Sequence, residues 1–216
     1  MNKKKPTDKA RGKRQQVRLI GGAWRGRRID FADQDGLRPS GDRCRETLFN
    51  WLQTRVPGSR CLDLFAGSGA LGLEAASRGA AAVEMVELNP SAASVLLEQI
   101  ALLTMNPGER KASGAIPPTR AANINVHQQD ALSLLNSNSL VDQRFDIVFV
   151  DPPFELQLQS QVLGLLHQHP SLNPGAVVYV ETDQTDLSAT VVPGWQIDRQ
   201  KRAGNVSFGL LSQGTG

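Results

Sequence analysis

Three stretches of this sequence hold residues whose types and spacing could do chemistry together. In CLDLFAGSGALG, residues 61–72, an acid, Asp63, sits in an apolar run that turns through Gly67, Ser68 and Gly69. Glu87 closes the next apolar run, AAAVEMVE, about 20 residues after Gly67, where a ribose-binding carboxylate is expected. Asp151-Pro152-Pro153-Phe154 ends a third run, FDIVFV. The glycines let backbone approach a ligand without a Cβ in the way, and the helix that follows presents free N–H groups to it. The prolines stiffen the last stretch, so the Asp151 carboxylate and the Pro152 carbonyl form a rigid pair of acceptors beside an aromatic face.

That pair suits an exocyclic amine on a nucleobase. Such a nitrogen has its lone pair delocalised into the ring and is a poor nucleophile. Two acceptors on its N–H groups favour a pyramidal nitrogen and aim the lone pair at an electrophile. Phe154 would stack on the base, which must leave its helical stack to be reached. The plain alternative is a strand-ending acid followed by a Pro-Pro turn. The glycines alone leave the cofactor open, because Gly67-x-Gly69-x-x-Gly72 is also the dinucleotide fingerprint. Asp63 tips the balance: a dinucleotide has no obvious use for it, whereas a sulfonium ligand with a free amino group does.

The elements that must position these residues read as alternating strands and helices. Strands are expected at 60–65, 82–87, 124–128, 145–150 and 176–181, and helices at 70–78, 90–103, 131–135 and 156–167. An antiparallel pair, 195–201 and 206–211, closes the chain. The fold class is therefore α/β and Rossmann-like: a seven-stranded, mostly parallel sheet with a C-terminal antiparallel hairpin and a small N-terminal extension. Ligands of such sheets bind at the carboxyl ends of the strands, which brings Asp151 beside the glycine turn. Residues 104–123 are rich in Gly, Pro and charge and read as a surface loop.

The chain has 216 residues and net charge +3. Residues 1–18 carry eight Lys/Arg and one Asp, or +7, which leaves 3 − 7 = −4 for the rest. Residues 1–16 read as a disordered basic tail and favour a polyanion, with a solubilising leader as the bland reading. Residues 17–58 read as a β-hairpin and a helix that touch RNA. Arg18, Arg25, Arg27 and Arg28 beside Trp24 combine cationic forks with a stacking surface, and Arg38, Arg43 and Arg45 lie near the helix start. Trp24 covering core is the alternative. Ser40 or Asp42 is expected to cap that helix, which packs through Cys44, Leu48, Trp51 and Leu52. Residues 59–216 form the catalytic domain. No apolar run approaches a membrane span and no h-region marks a signal peptide. Cys44 and Cys61 form no disulfide or zinc pattern and read as packing residues in a reducing cytoplasm. His127, His167 and His169 lack metal-ligand companions, so no metal is expected.

Taken together, RLIGGAWRGRRI, LRPSGDRCRETLFNWL, DLFAGSGALGLEAASRGA, VELN and FDIVFVDPPF resemble the RsmD family over nearly the whole chain. The resemblance implies a methyltransferase of class I that uses S-adenosylmethionine on N2 of a guanine in bacterial 16S rRNA, within the small ribosomal subunit. It implies that Asp63 and the backbone from Phe65 through Gly67 to Gly69 meet the amino-acid end of the cofactor. Glu87 takes the ribose hydroxyls, Leu88 lies against the adenine, and Asp130 with the Ala131 N–H meets the adenine edge. Asp151, Pro152 and Phe154 handle the guanine. A monomer is expected. Ser40 stands where Thr is usual, and the 104–123 loop is longer than usual. Alternatives are a DNA amino-methyltransferase, a non-catalytic RNA-binding assembly factor and, last, an NAD oxidoreductase.

Overall fold

The computed structural model describes residues 14–32, 41–105, 122–137, 139, 140 and 142–214. The chain opens with a two-stranded antiparallel hairpin, β1 (Arg14–Arg18) and β2 (Arg28–Ala32), followed by α1 (Asp42–Trp51). Then β3 (Arg60–Asp63), α2 (Ala70–Ser77), β4 (Ala82–Glu87), α3 (Pro90–Thr104), β5 (Asn123–Gln128), α4 (Ala131–Leu135) and β6 (Phe145–Val150) alternate. After α5 (Gln159–Gln168) come β7 (Leu172–Thr182), β8 (Trp195–Ala203) and β9 (Val206–Gln213).

The seven strands from β3 onward form one sheet in the order β5-β4-β3-β6-β7-β9-β8. The first five run parallel, and β9 and β8 close the edge antiparallel. The chain winds outward from β3 to β5, then returns to lay β6 on the other side of β3. The β3–β6 boundary is thus the switch point, where the helices leave in opposite directions and a crevice opens. β6 is a near-continuous apolar run, and Cys61 and Leu62 of β3 are fully buried, because both faces are covered. Phe49, Phe149, Tyr179 and Phe208 line one face in successive ring contacts, and Trp51 packs on Phe208. On the other face α4 and α5 cover Leu62, Val148, Val150 and Val178.

The hairpin is fastened to the sheet by α2. Fully buried Glu74 accepts from the Ile20 N–H (2.7 Å), the Gly21 N–H (2.7 Å) and Arg78 Nε (2.6 Å). Ser77 Oγ donates to the Gly21 carbonyl (2.6 Å) and accepts from the Trp24 N–H (2.9 Å). At Gly22 a Cβ would stand 1.9 Å from the Ser77 carbonyl oxygen, so only glycine lets the loop lie this close.

Several expectations need correction. Residues 1–13 lie outside the described residues, but Arg14–Gln16 are paired strand, in register with Ala32, Phe31 and Asp30, rather than disordered tail. Trp24 is 4% exposed and belongs to the core, so it offers no face for a base. Its backbone is anchored to Ser77, which turns the indole inward. Asp42 does not cap α1 but opens it and pairs with Arg45, whose buried guanidinium also donates to the Arg18 carbonyl. α5 begins three residues later than expected, at Gln159, because Phe154–Leu156 form a 3-10 turn ended by Gln157 in the left-handed region (φ 47°). Arg38, Ser40 and residues 106–121 of the expected loop lie outside the described residues.

Candidate active site

The carboxyl ends of β3, β4, β5 and β6 converge on one crevice. β3 ends at Asp63, which pairs with Met85 on one side and Phe149 on the other. Continued past that register, the chain brings the 65–69 turn, Glu87 and Asp151 to neighbouring positions at one rim of the sheet. The turn is held from several directions. The Leu64 N–H donates to the Phe149 carbonyl (3.1 Å), the Ala66 N–H to the Val86 carbonyl (2.8 Å), and the Gly69 N–H to the Ala66 carbonyl (2.7 Å). Gly69 caps α2 at φ 77°, where a side chain would be strained and its Cβ would meet Leu96.

Asp63 is 1% exposed. Its Oδ2 accepts the Gly72 N–H at 2.9 Å, which ties the end of β3 to the first turn of α2. Its Oδ1 is buried without a hydrogen-bond partner among the described residues. Burial raises its pKa to about 7, against the pull of the Gly72 and Phe65 N–H groups, and the charges of Asp151 and Glu87 push the same way. Three acids therefore face one place, and the buried one has an oxygen to spare. A cation seated there would relieve that repulsion and take the spare acceptor.

Glu87, half-buried, spans the turn: Oε2 accepts the Gly67 N–H (2.8 Å) and Oε1 the Asn89 N–H (2.7 Å). The residue read as a ribose acceptor thus also shapes the glycine loop, a second task that its sequence position does not reveal. Leu88 beside it is 66% exposed, an apolar side chain left standing at the crevice rim. Asn89 caps α3 through the Ser91 and Ala92 N–H groups, with Pro90 at the first helical position. Asp130 caps α4, its Oδ1 accepting from Ser133 N (2.8 Å) and Ser133 Oγ (2.9 Å), and Ala131 is buried below it.

Asp151 follows β6 half-buried, Pro152 is buried, and Phe154 is half-buried in the 3-10 turn. That turn is closed by Leu156 N–H to the Pro153 carbonyl (3.0 Å) and Gln157 N–H to the Phe154 carbonyl (3.1 Å). Tyr179 Oη donates to buried Glu181 at 2.6 Å on the neighbouring strand. Cys44 of α1 is close enough to Asp151 and Glu181 to feel both, and burial with those charges pushes its thiol up to about 12. Cys61 is also pushed up to about 12, mainly by burial, so both thiols stay protonated and serve packing.

The cations are distributed unevenly. Arg18, Arg25, Arg28 and Arg43 are exposed. Arg27 is half-buried and donates to the Leu102 carbonyl at 3.3 Å, linking the hairpin to α3. Among the residues that sequence reasoning passed over, Glu74 and Ser77 matter most for positioning, while Arg45, read as a cation near the helix start, is fully buried. Their signal, a charged or hydroxyl residue in an otherwise apolar segment, is weak without the fold. His127 pairs with buried Glu84 (2.7 Å), His169 with Ser171 Oγ (2.6 Å), and His167 meets the Trp195 ring edge-on.

A family model described as Conserved hypothetical protein 95 matches residues 17–212. Ribosomal RNA small subunit methyltransferase D of Escherichia coli K12 is 39% identical, covering 97% of this chain and 95% of its own length. The protein of the same name from Haemophilus influenzae is 38% identical over 96% and 98% of the two chains. The solved structure of yhhF from Escherichia coli is 37% identical, with TM-score 0.74 over 92% of this chain and 98% of that one.

Proposed function

We propose, for a chain that belongs to the RsmD family matched by the Conserved hypothetical protein 95 model, methyl transfer to the exocyclic N2 of a guanine in 16S rRNA during small-subunit maturation. The observation that carries the cofactor assignment is the spare, buried Oδ1 of Asp63 beside two further acids. S-adenosylmethionine fits that place, because it brings an ammonium and a sulfonium. When bound it supplies an electrophilic methyl group whose sulfur leaves as a neutral thioether.

The chain's own residues then have distinct tasks. Asp63 accepts from the ammonium while holding α2 through Gly72. Glu87 accepts from the ribose hydroxyls while its bonds to Gly67 and Asn89 hold the loop. Leu88 offers apolar surface to the adenine, and Asp130 with the Ala131 N–H reads its edge. The Asp151 carboxylate and the Pro152 carbonyl accept the two hydrogens of the target amine. The negative charge also offsets the positive charge that grows on nitrogen as the N–C bond forms and the C–S bond breaks, and one amine proton then passes to solvent. Phe154 stacks on the extruded base. Most of the acceleration comes from alignment and charge. Residues 17–58, with Arg18, Arg25, Arg27, Arg28 and Arg43, make up an extension that contacts RNA, and residues 59–216 the catalytic domain.

The test is transfer of labelled methyl from S-adenosylmethionine to small subunits from cells lacking the enzyme, followed by nucleoside analysis. Label in N2-methylguanosine is the expected result. Asp151→Ala should leave cofactor affinity intact and slow single-turnover transfer by about thirtyfold to thousandfold, the equivalent of roughly 2–4 kcal/mol. Wild-type rates in that variant would reduce DPPF to a strand-ending turn and favour a non-catalytic assembly factor.

A further inference from the structure

The last two strands carry a cationic surface that none of the tasks above uses. β7 runs parallel to β6, β9 antiparallel to β7, and β8 antiparallel to β9, so β8 ends at the rim where β6 ends. Glu181 pairs with Phe208 and Phe208 with Lys201, while Val150 pairs with Val180. One residue past Val150, Asp151 therefore lies on the same rank as Lys201. Three strand spacings separate them, about 14 Å at ~4.8 Å each.

A bulge decides which way the cations point. The register of β8 shifts between Ile197 and Arg199, with Asp198 as the extra residue. Before the shift Trp195 and Ile197 join the core on the α4–α5 face. After it Arg199 pairs with Leu210 and Lys201 with Phe208, both of the opposite face, where α1 packs. Without the bulge these two cations would share the face of Trp195. The side chains of Arg199 and Lys201 are exposed and make no hydrogen bond or ion pair with another described residue. Arg202 is exposed too, and it braces the tip by donating from Nε to the Gly204 carbonyl (3.0 Å) and from Nη1 to the Thr185 carbonyl (3.3 Å). The nearby acids form no ion pair with them: Asp198 accepts from Ser212 Oγ and Gln196 Nε2, and Asp186 caps a short turn at Ser188.

We infer that Arg199 and Lys201 on the bulged β8–β9 hairpin bind phosphodiesters of the RNA flanking the target guanine. This inference rests on the rRNA-methyltransferase reading. The RNA would then be held on both sides of the site, by the cations of residues 17–58 and by this hairpin. An edge strand with free cations also resists pairing with another chain, but that purpose does not require a bulge that turns them to the face of Asp151.

The test uses the full chain carrying Arg199→Gln and Lys201→Gln, with Arg144→Gln, an exposed cation just before β6 at the opposite rim, as the control. Binding to naked 16S rRNA and to small subunits is titrated across salt concentrations beside S-adenosylmethionine affinity. The double variant should bind both RNAs about tenfold more weakly at physiological salt, with the salt slope reduced by about 1.4–1.8 and cofactor affinity unchanged. Arg199→Lys with Lys201→Arg should restore the slope. An unchanged slope, or weakening on subunits alone, would overturn the inference, the latter by assigning the surface to a ribosomal protein. A wild-type chain that transfers no methyl to N2 while the slopes behave as expected would instead defeat the reading of function.

Discussion

Glu74 and Asp63 are both buried carboxylates, and they sit within one strand–helix unit, yet their surroundings differ. Glu74 is saturated: two backbone N–H groups and an arginine use both oxygens, and the result is a fastened loop. Asp63 receives the Gly72 N–H on one oxygen, and its other oxygen is buried without a hydrogen-bond partner among the described residues. Burial, with the charges of Asp151 and Glu87, pushes its pKa up to about 7. A buried acid whose acceptors are all met fastens structure, whereas one left partly unmet beside other acids costs the ligand-free fold.

Exchanging carboxylate for amide at the two positions should therefore have opposite effects on stability. Glu74→Gln removes the charge facing Arg78 and turns an N–H₂ toward a backbone N–H. The expected loss is about 3–5 kcal/mol, or roughly 6–20 °C in melting temperature for a chain this size. An unchanged melting curve would mean that the clamp contributes nothing.

Asp63→Asn should stabilise the ligand-free protein at neutral and higher pH, by up to about 4 kcal/mol. The sign follows from a folded pKa of about 7 against a model value of 3.8. The folded state binds the extra proton between these values, so stability is greatest below them and declines as pH rises to about 7. Urea unfolding from pH 4 to 8 should show that decline in the wild type and not in the variant. Cofactor affinity should move the other way. In the wild type it should weaken below pH 7, approaching tenfold per unit, and in the variant it should be low at every pH. Parallel unfolding curves for the two proteins would remove the basis for treating Asp63 as an incomplete site.

Glu87 stands between these extremes, with both oxygens engaged but lone pairs remaining. Glu87→Ala should cost about 1–3 kcal/mol of S-adenosylmethionine affinity in calorimetry, and lower the melting temperature less than Glu74→Gln does. A large melting shift instead would move Glu87 into the company of Glu74.

The parts of the fold that were legible in sequence were those that local pattern controls. The strand, turn and helix around Asp63, the buried run before Asp151 and the final hairpin all emerge within a residue or two of expectation. What escaped depends on partners distant in the chain. Trp24 beside four arginines looks like a nucleic-acid surface until Ser77, 53 residues away, is seen to anchor it. Glu74 looks like an ordinary helix-surface acid until Ile20, 54 residues away, is seen to donate to it. Arg45 gives no sequence sign of full burial, because the carbonyl that receives it belongs to Arg18. Asp130 has a local role as a helix cap that the family resemblance overshadows.

The same fastening has a consequence for the order in which the protein forms during synthesis. The 20–24 loop leaves the ribosome first, but its anchors follow 53 to 56 residues later. At translation rates of about 5–20 residues per second, roughly 3–11 seconds pass before Glu74 and Ser77 can reach it. A lone two-stranded hairpin is marginal in water, so throughout that interval the nascent segment has neither its clamp nor the core that later encloses Trp24. Chains arrested before Ser77 should therefore present an unshielded tryptophan to chaperones, and chains arrested well beyond it should not.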